Sequence, residues 1–253
     1  MSFSLSTLKN ISCFLIIGMI SLSCITQQMK RRSESRTKLG TAYLQEGNPA
    51  DAILTLQEAT QLNPQNANAW EKLGLAYVAR DAHEMAETCF KKSLRIADRA
   101  ETHNNYGLLL VAMKRYDEAV SQFQKAADDL SYRRTALALT NKGRTQHLQG
   151  KYKEAIDTLN GAIKRAPNSC QARFNRGLSL IEIKEDEKAL KDFENVIELC
   201  GDTVTGAYLQ AAEILLKQSD KNAGCAHLQT IIFEAKESPL GKLATKRYQQ
   251  ECT

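Results

Sequence analysis

Apolar residues along most of this chain recur at spacings of three and four, the mark of amphipathic helices, and that local pattern is itself repeated. Glycines stand at 40, 74, 107, 143 and 177, so the longer period runs between 33 and 36 residues. Twelve residues after each glycine comes an alanine: Ala52, Ala86, Ala119, Ala155 and Ala189. Sixteen after comes a large apolar side chain: Leu56, Phe90, Phe123, Leu159 and Phe193. Nineteen after stands a compact one: Ala59, Ser93, Ala126, Ala162 and Val196. Such a period holds two antiparallel helices of about 14 residues with short turns. Glycine in the first helix and alanine in the second let two backbones approach closely, and the bulky residue is expected to fill the space against the next pair. Turn chemistry agrees. Gly47-Asn48-Pro49 and Gly150 separate the helices of the first and fourth copies, and Asn63-Pro64 and Ala166-Pro167 close second helices, because a residue before proline is pushed out of the helical region. A sixth, weaker copy places Ala211 in the glycine slot and Ala223 twelve residues later. Its bulky slot then holds His227, which predicts a degenerate repeat. After Ser238-Pro239, residues 237–253 read as a closing helix. The expected fold is all-α: an α-solenoid of six helix pairs over 33–236, the sixth degenerate, with a C-terminal capping helix.

These residues resemble the tetratricopeptide repeat (TPR). The second copy carries the pattern most fully, with Trp70, Leu73, Gly74, Tyr77, Ala86 and Phe90 in the expected order. The resemblance covers about residues 33–235 and implies a superhelix whose concave groove is lined by the first helix of each pair.

Residues 1–23 read as an address rather than as fold. Lys9 is the only charge, Ile11 to Ile20 is uninterrupted by charge, and small residues follow. That is the layout of a secretory signal, and the run is too short to span a membrane. Cys24 at its end resembles the lipobox of bacterial lipoproteins, which implies acylation of that cysteine as the new N-terminus. Ser23 fits the small residue before the cut, whereas Ser21 stands where the family prefers leucine. Ordinary cleavage after Ser21-Leu22-Ser23 and an uncleaved anchor are the other readings, and Lys30, Arg31 and Arg32 are unfavourable for export. Ile25, in place of an aspartate, points to the outer membrane. Residues 24–32 are expected to be a linker.

Composition narrows the function. Of 253 residues 43% are hydrophobic and 25% charged, as in a soluble globular protein, and 13 glycines with 4 prolines favour helices over an all-β fold. A net charge of +5 is too small for a dedicated nucleic-acid binder. The leader and six periods leave no length for a catalytic domain. No phosphate loop or nucleophile elbow is present. His83, His103, His147 and His227 are scattered, form no paired-ligand pattern and read as surface histidines, so no enzyme, metal, cofactor or small-molecule substrate is expected. Five cysteines lie beyond Cys13 and Cys24. Cys170 begins one helix and Cys200 ends its antiparallel partner; Cys225 and Cys252 are placed at one end of the last hairpin. The predicted pairs are Cys170–Cys200 and Cys225–Cys252, with Cys89 a buried thiol, among the three pairings that four cysteines allow.

In this repeat class, first-helix residues one turn before the glycine, just after it and one turn later face the groove. Here they include Leu44, Leu75, Val78, Leu108, Val111, Phe174, Leu178, Ile181 and Tyr208. The set is apolar and lacks the lysine, asparagine and arginine with which some TPRs capture acidic C-termini. It suits an extended or amphipathic segment of another protein, although such side chains can equally pack against neighbouring helices. The fourth copy departs, with Thr140, Arg144 and His147.

Within the TPR class, the short leader, six repeats and closing helix resemble the type IV pilus pilotins, lipoproteins of the PilF, PilW and Tgl type. Asn104-Asn105-Tyr106-Gly107, then Lys114-Arg115-Tyr116 before Glu118-Ala119, carry the local similarity, as does the long connection with Tyr132, Arg133 and Arg134. The resemblance implies a non-enzymatic, lipid-anchored protein on the periplasmic face of the outer membrane that binds secretin subunits and promotes their localisation and assembly. A general periplasmic scaffold serving another outer-membrane protein subunit, lipid-anchored or soluble, is the alternative.

Overall fold

The computed structural model describes residues 26–201 and 205–253, and among these there are thirteen helices and no strands. The leader and Cys24 lie outside the described residues. The helices are α1 over 26–45, α2 Pro49–Leu62, α3 Ala67–Val78, α4 His83–Ile96, α5 Ala100–Ala112, α6 Tyr116–Asp128 and α7 Thr135–Leu148. They continue with α8 Tyr152–Arg165, α9 Cys170–Glu182, α10 Asp186–Cys200, α11 Thr205–Lys217, α12 Lys221–Ala235 and α13 Pro239–Glu251. The chain divides into two compact units, one ending at Leu109 and the other starting at Leu110. The expected linker over 24–32 is helical from residue 26, because its glutamines, methionine, lysine and arginines are good helix formers with no proline or glycine among them. Ser33, two turns on, is already buried and donates to the Ala59 carbonyl at 2.8 Å.

Starts and stops follow from local chemistry. Asn48, Asn66, Ser169, Asp220 and Ser238 each accept a backbone N–H of the first turn that follows, and Pro49 and Pro239 sit where their missing N–H is harmless. The turn inside each copy is the same motif six times. The residue seven beyond the glycine slot has positive φ: Gly47, Asp81, Lys114, Gly150, Lys184 and Ser219. The next N–H then reaches back five residues to a helix carbonyl, as in Asn48 to Tyr43 (2.8 Å), Glu185 to Leu180 (2.9 Å) and Asp220 to Leu215 (2.9 Å). This left-handed cap satisfies carbonyls that the helix end would leave bare. Glycine fills it freely, whereas the four other residues hold a left-handed conformation against a penalty of about 1 kcal/mol each.

The same count corrects the sixth copy. Ser219 lies seven residues after Ala212, not Ala211, so the glycine slot is Ala212. Gly224 then takes the alanine slot, Leu228 the bulky slot and Ile231 the compact one, all of them buried. The sequence phase was one residue early because Ala211 and Ala212 are both small and both fully buried. They serve different cores: Ala211 packs with Phe193, and Ala212 with Leu228 and Ile231.

The bulky residue also differs from expectation. It packs first on the glycine of its own pair. A Cβ added to Gly40 would stand 2.5 Å from Leu56, on Gly143 2.5 Å from Leu159, and on Gly177 2.7 Å from Phe193. In the second copy the figure is 3.0 Å to Phe90, whose ring also meets Tyr106 of α5 at 6.0 Å between centroids. In the second unit each helix packs on its successor, and the first helices of neighbouring pairs, α7 with α9, also touch. α13 meets α11 in the same way, so it takes the position of a further first helix and closes the end. Its Ala244, Leu240 and Tyr248 cover the core around Leu228.

Both expected disulfides are present. Cys170–Cys200 joins the start of α9 to the end of α10 with Cα atoms 6.6 Å apart, and Cys225–Cys252 joins α12 to the end of α13 at 5.9 Å. Cys89 is free and buried. The bridges close loops of 30 and 27 residues, for which chain entropy predicts about 3.5 kcal/mol each. Reduction with a phosphine should therefore lower the urea midpoint of the second unit without altering the native helical signal in water, as read by circular dichroism.

Candidate partner-binding groove

First helices carry three stripes. The glycine stripe is consumed by the bulky side chain of the second helix, and the stripe on the adjoining side is left to face outward. In the first unit that side carries Leu44, Leu75 and Val78, all half-buried, and Leu108, which is 41% exposed. In the second unit it carries Val111 on α5 and Phe174, Leu178 and Ile181 on α9, again half-buried. The α9 trio leans on the core around Phe193, and the Phe174 and Phe193 rings meet edge-on at 5.7 Å. These residues thus stiffen the pair while presenting part of their surface. Tyr208 does not belong with them. It is only 8% exposed, packs with Leu209, Leu228 and Ile231, and stacks edge-on with His227 of α12 at 5.3 Å. The one-residue phase error explains this, since counting from Ala212 places Leu209 rather than Tyr208 one turn before the slot.

The fourth copy supplies apolar surface that the spacing rule passed over. Leu137 and Leu148 of α7 are exposed and share a helix face with Arg144. Thr140 is instead buried, its hydroxyl turned back to the Ala136 carbonyl at 2.8 Å. His147 is half-buried and meets Ser179 of α9 at 3.1 Å. Burial holds its pKa below the ordinary histidine value against the opposing pull of Glu182, and His227 is depressed in the same way against Glu194. His103 is buried beside Asp98 at 2.5 Å, so the expectation of surface histidines fails there. The Cys89 thiol is pushed up to about 11 by burial, which leaves it inert at neutral pH. No cluster of three or more histidine, cysteine, aspartate or glutamate side chains suited to a metal exists among the described residues.

The most consequential polar feature went unread in the sequence. Glu71 of α3 is fully buried and gathers four donors. Lys72 approaches at 2.9 Å, Arg99 at 3.2 Å, the Thr102 hydroxyl at 2.8 Å and the Asn105 amide at 3.3 Å. A carboxylate taken out of water must be paired and hydrogen-bonded in this way. The knot ties α3 to the start of α5, and it gives Asn105, half of the asparagine pair, a structural role. Further along, Arg176 forks onto the buried Asp192 at 2.6 and 2.7 Å.

Paired helices with a repeated left-handed turn and a glycine-seated wedge leave one family to consider, and comparison decides it. Models described as the tetratricopeptide repeat or TPR repeat match residues 40–80, 67–99, 98–168 and 149–201. The chain is a tetratricopeptide-repeat protein. It is 32% identical to the type IV pilus assembly protein PilF of Pseudomonas aeruginosa over 118 residues, which cover 45% of this chain and 47% of that one. The match thus spans about half the length of that relative. The solved structure of Pseudomonas aeruginosa PilF superposes with a TM-score of 0.76 at 20% identity, covering 87% of this chain and 99% of that one. PilW, a widely conserved type IV pilus biogenesis factor, gives 0.76 at 22% identity over 84% and 98%. At those identities the two superpositions speak for the fold.

The TPR assignment makes the Glu71 knot a joint between successive repeats. Glu71→Ala strands Arg99 and the buried donors, and it should destabilise the first unit by about 2–3 kcal/mol. Chemical denaturation followed through Trp70 fluorescence checks this, because Trp70 is the sole tryptophan and lies on the same helix.

Proposed function

We propose that this TPR protein is a type IV pilus biogenesis factor of the pilotin kind, a non-enzymatic protein that binds secretin subunits and promotes their localisation and multimerisation. The observation that carries the reading is the agreement between local sequence and whole architecture. The 32% match to PilF is joined by superpositions that take in nearly the full length of the PilF and PilW chains. A shared repeat alone would match TPR proteins of any role; superpositions that cover 99% and 98% of the PilF and PilW chains narrow the choice.

The physical task suits the groove. A secretin subunit carries apolar surface that must be kept from water until it enters the membrane. Half-buried leucines and valines on stiff first helices offer a preformed apolar strip, so binding does not first have to order the receptor. Leu108 on α5 and Leu178 on α9, each just after its glycine, are the central contacts in their respective units. The proposal includes acylation of Cys24 and residence on the periplasmic face of the outer membrane. One acyl chain gives marginal anchoring at about 0.8 kcal/mol per buried CH₂, so stable residence needs the multiple chains of a lipoprotein cysteine.

Deletion of the gene should abolish the heat-resistant secretin multimer on a denaturing gel, and the wild-type chain should restore it. Leu108→Asp should restore less than about a tenth of it while leaving the protein folded, since Leu108 is 41% exposed and the change places a charge in the apolar strip. Undiminished multimer and normal piliation in the deletion strain would leave the general periplasmic scaffold. Mass spectrometry of the mature N-terminus reads the state of Cys24.

A further inference from the structure

Besides the first-helix strip, the fold leaves clefts on its other side, where two successive second helices flank the first helix between them. In the second unit one such cleft, about 440 Å³, lies over α9 between α8 and α10. Its apolar lining is Ile156, Leu180 and Ile183, and Arg173 and Lys191 stand at its edge. The charges here are unevenly matched. Arg176 is neutralised by Asp192, and Lys188 is paired with Glu185 at 2.9 Å. Arg173 donates to the Pro167 carbonyl, and among the described residues neither it nor the exposed Lys191 has an acidic partner.

Two comparable clefts are balanced within themselves. Over α3, between α2 and α4, Lys92 lies on the Trp70 ring at 4.2 Å. Over α7, between α6 and α8, Lys142 donates to Gln124 at 2.6 Å, and Asp128 and Asp157 line the same space. Of these three clefts, the one over α9 has two cations, Arg173 and Lys191, left over once its own carboxylates, Glu185 and Asp192, are paired with Lys188 and Arg176.

We propose that this cleft is a second protein-docking site, which takes an acidic segment of a partner with an apolar anchor. An aliphatic side chain of that segment rests on Ile156, Leu180 and Ile183, and carboxylates on either side of it meet Arg173 and Lys191. Charge complementarity sets the class of occupant, because apolar floor and unpaired cations together select against purely apolar and against basic segments. The site lies on the side of α9 away from Phe174, Leu178 and Ile181 and does not depend on the secretin reading.

Fluorescence anisotropy of a fluorescein-labelled peptide alternating aspartate and leucine, titrated with the full-length protein, tests it. Saturable binding that weakens with salt is expected. Lys191→Glu and Arg173→Glu should each weaken it about tenfold. Leu108→Asp, in the first-helix strip and outside this cleft's lining, should leave it unchanged, which separates this site from the proposed secretin strip. Lys191 is exposed and its side chain holds no internal bond, so its variant keeps the test independent of folding. Equal binding of an all-aspartate peptide would overturn the apolar anchor. Wild-type affinity in both charge reversals would overturn the site, and so would capture of phosphatidylglycerol vesicles through the same residues with no peptide binding.

Discussion

A large apolar side chain seated on the bare Cα of a glycine sets the geometry of this protein. Leu56 on Gly40, Phe90 on Gly74, Leu159 on Gly143 and Phe193 on Gly177 approach so closely that even a methyl group at the glycine meets them at 2.5–3.0 Å. Interiors packed this tightly do not tolerate added volume, so the contact fixes both the distance and the crossing of the two helices. The left-handed turn seven residues beyond each glycine slot then aims the second helix back along the first. Wedge and turn recur in constant phase, so neighbouring pairs of the second unit stack alike and their first helices lie side by side.

That constraint divides the surface into roles. The glycine stripe is spent on the pair itself. The stripe beside it keeps half-buried leucines and valines, stiffened from beneath by the core, which is what an apolar client would need. The opposite side is left with clefts between second helices, and charge decides which of them remain open to a partner. Charged groups inside the stack are each answered: Glu71 by Lys72, Arg99, Thr102 and Asn105, and Asp192 by Arg176. The last repeats carry different insurance. Where α13 must close the stack, two disulfides hold α9 to α10 and α12 to α13.

Much of this was legible in the chain. Periodicity exposes the helix pairs because small and bulky residues at fixed offsets are the direct imprint of the wedge. The cysteines could be paired because antiparallel helices bring known ends together. Elsewhere the imprint was ambiguous. Ala211 and Ala212 are equally small, so the slot could be placed one residue early, and that single shift made Tyr208 look like groove and His227 like a failed wedge. The bulky residues were assigned to the next pair because spacing cannot distinguish a side chain that fills its own glycine from one that reaches beyond it. Glu71 was silent because nothing local reports that Arg99, from a turn one repeat later, will neutralise it. For the α9 trio the sequence left groove and packing roles open together, since depth depends on Phe193, supplied by a different helix.

The wedge is tested most directly by a double-mutant cycle of Gly177→Ala and Phe193→Leu, followed by urea denaturation. Each change alone should destabilise, the first by forcing the ring aside and the second by leaving a cavity. Together they should be less harmful than their sum by about 1 kcal/mol or more, since the smaller side chain makes room for the added methyl group. Strict additivity within about 0.3 kcal/mol would mean that the two positions do not share a contact, and the packing argument would fail.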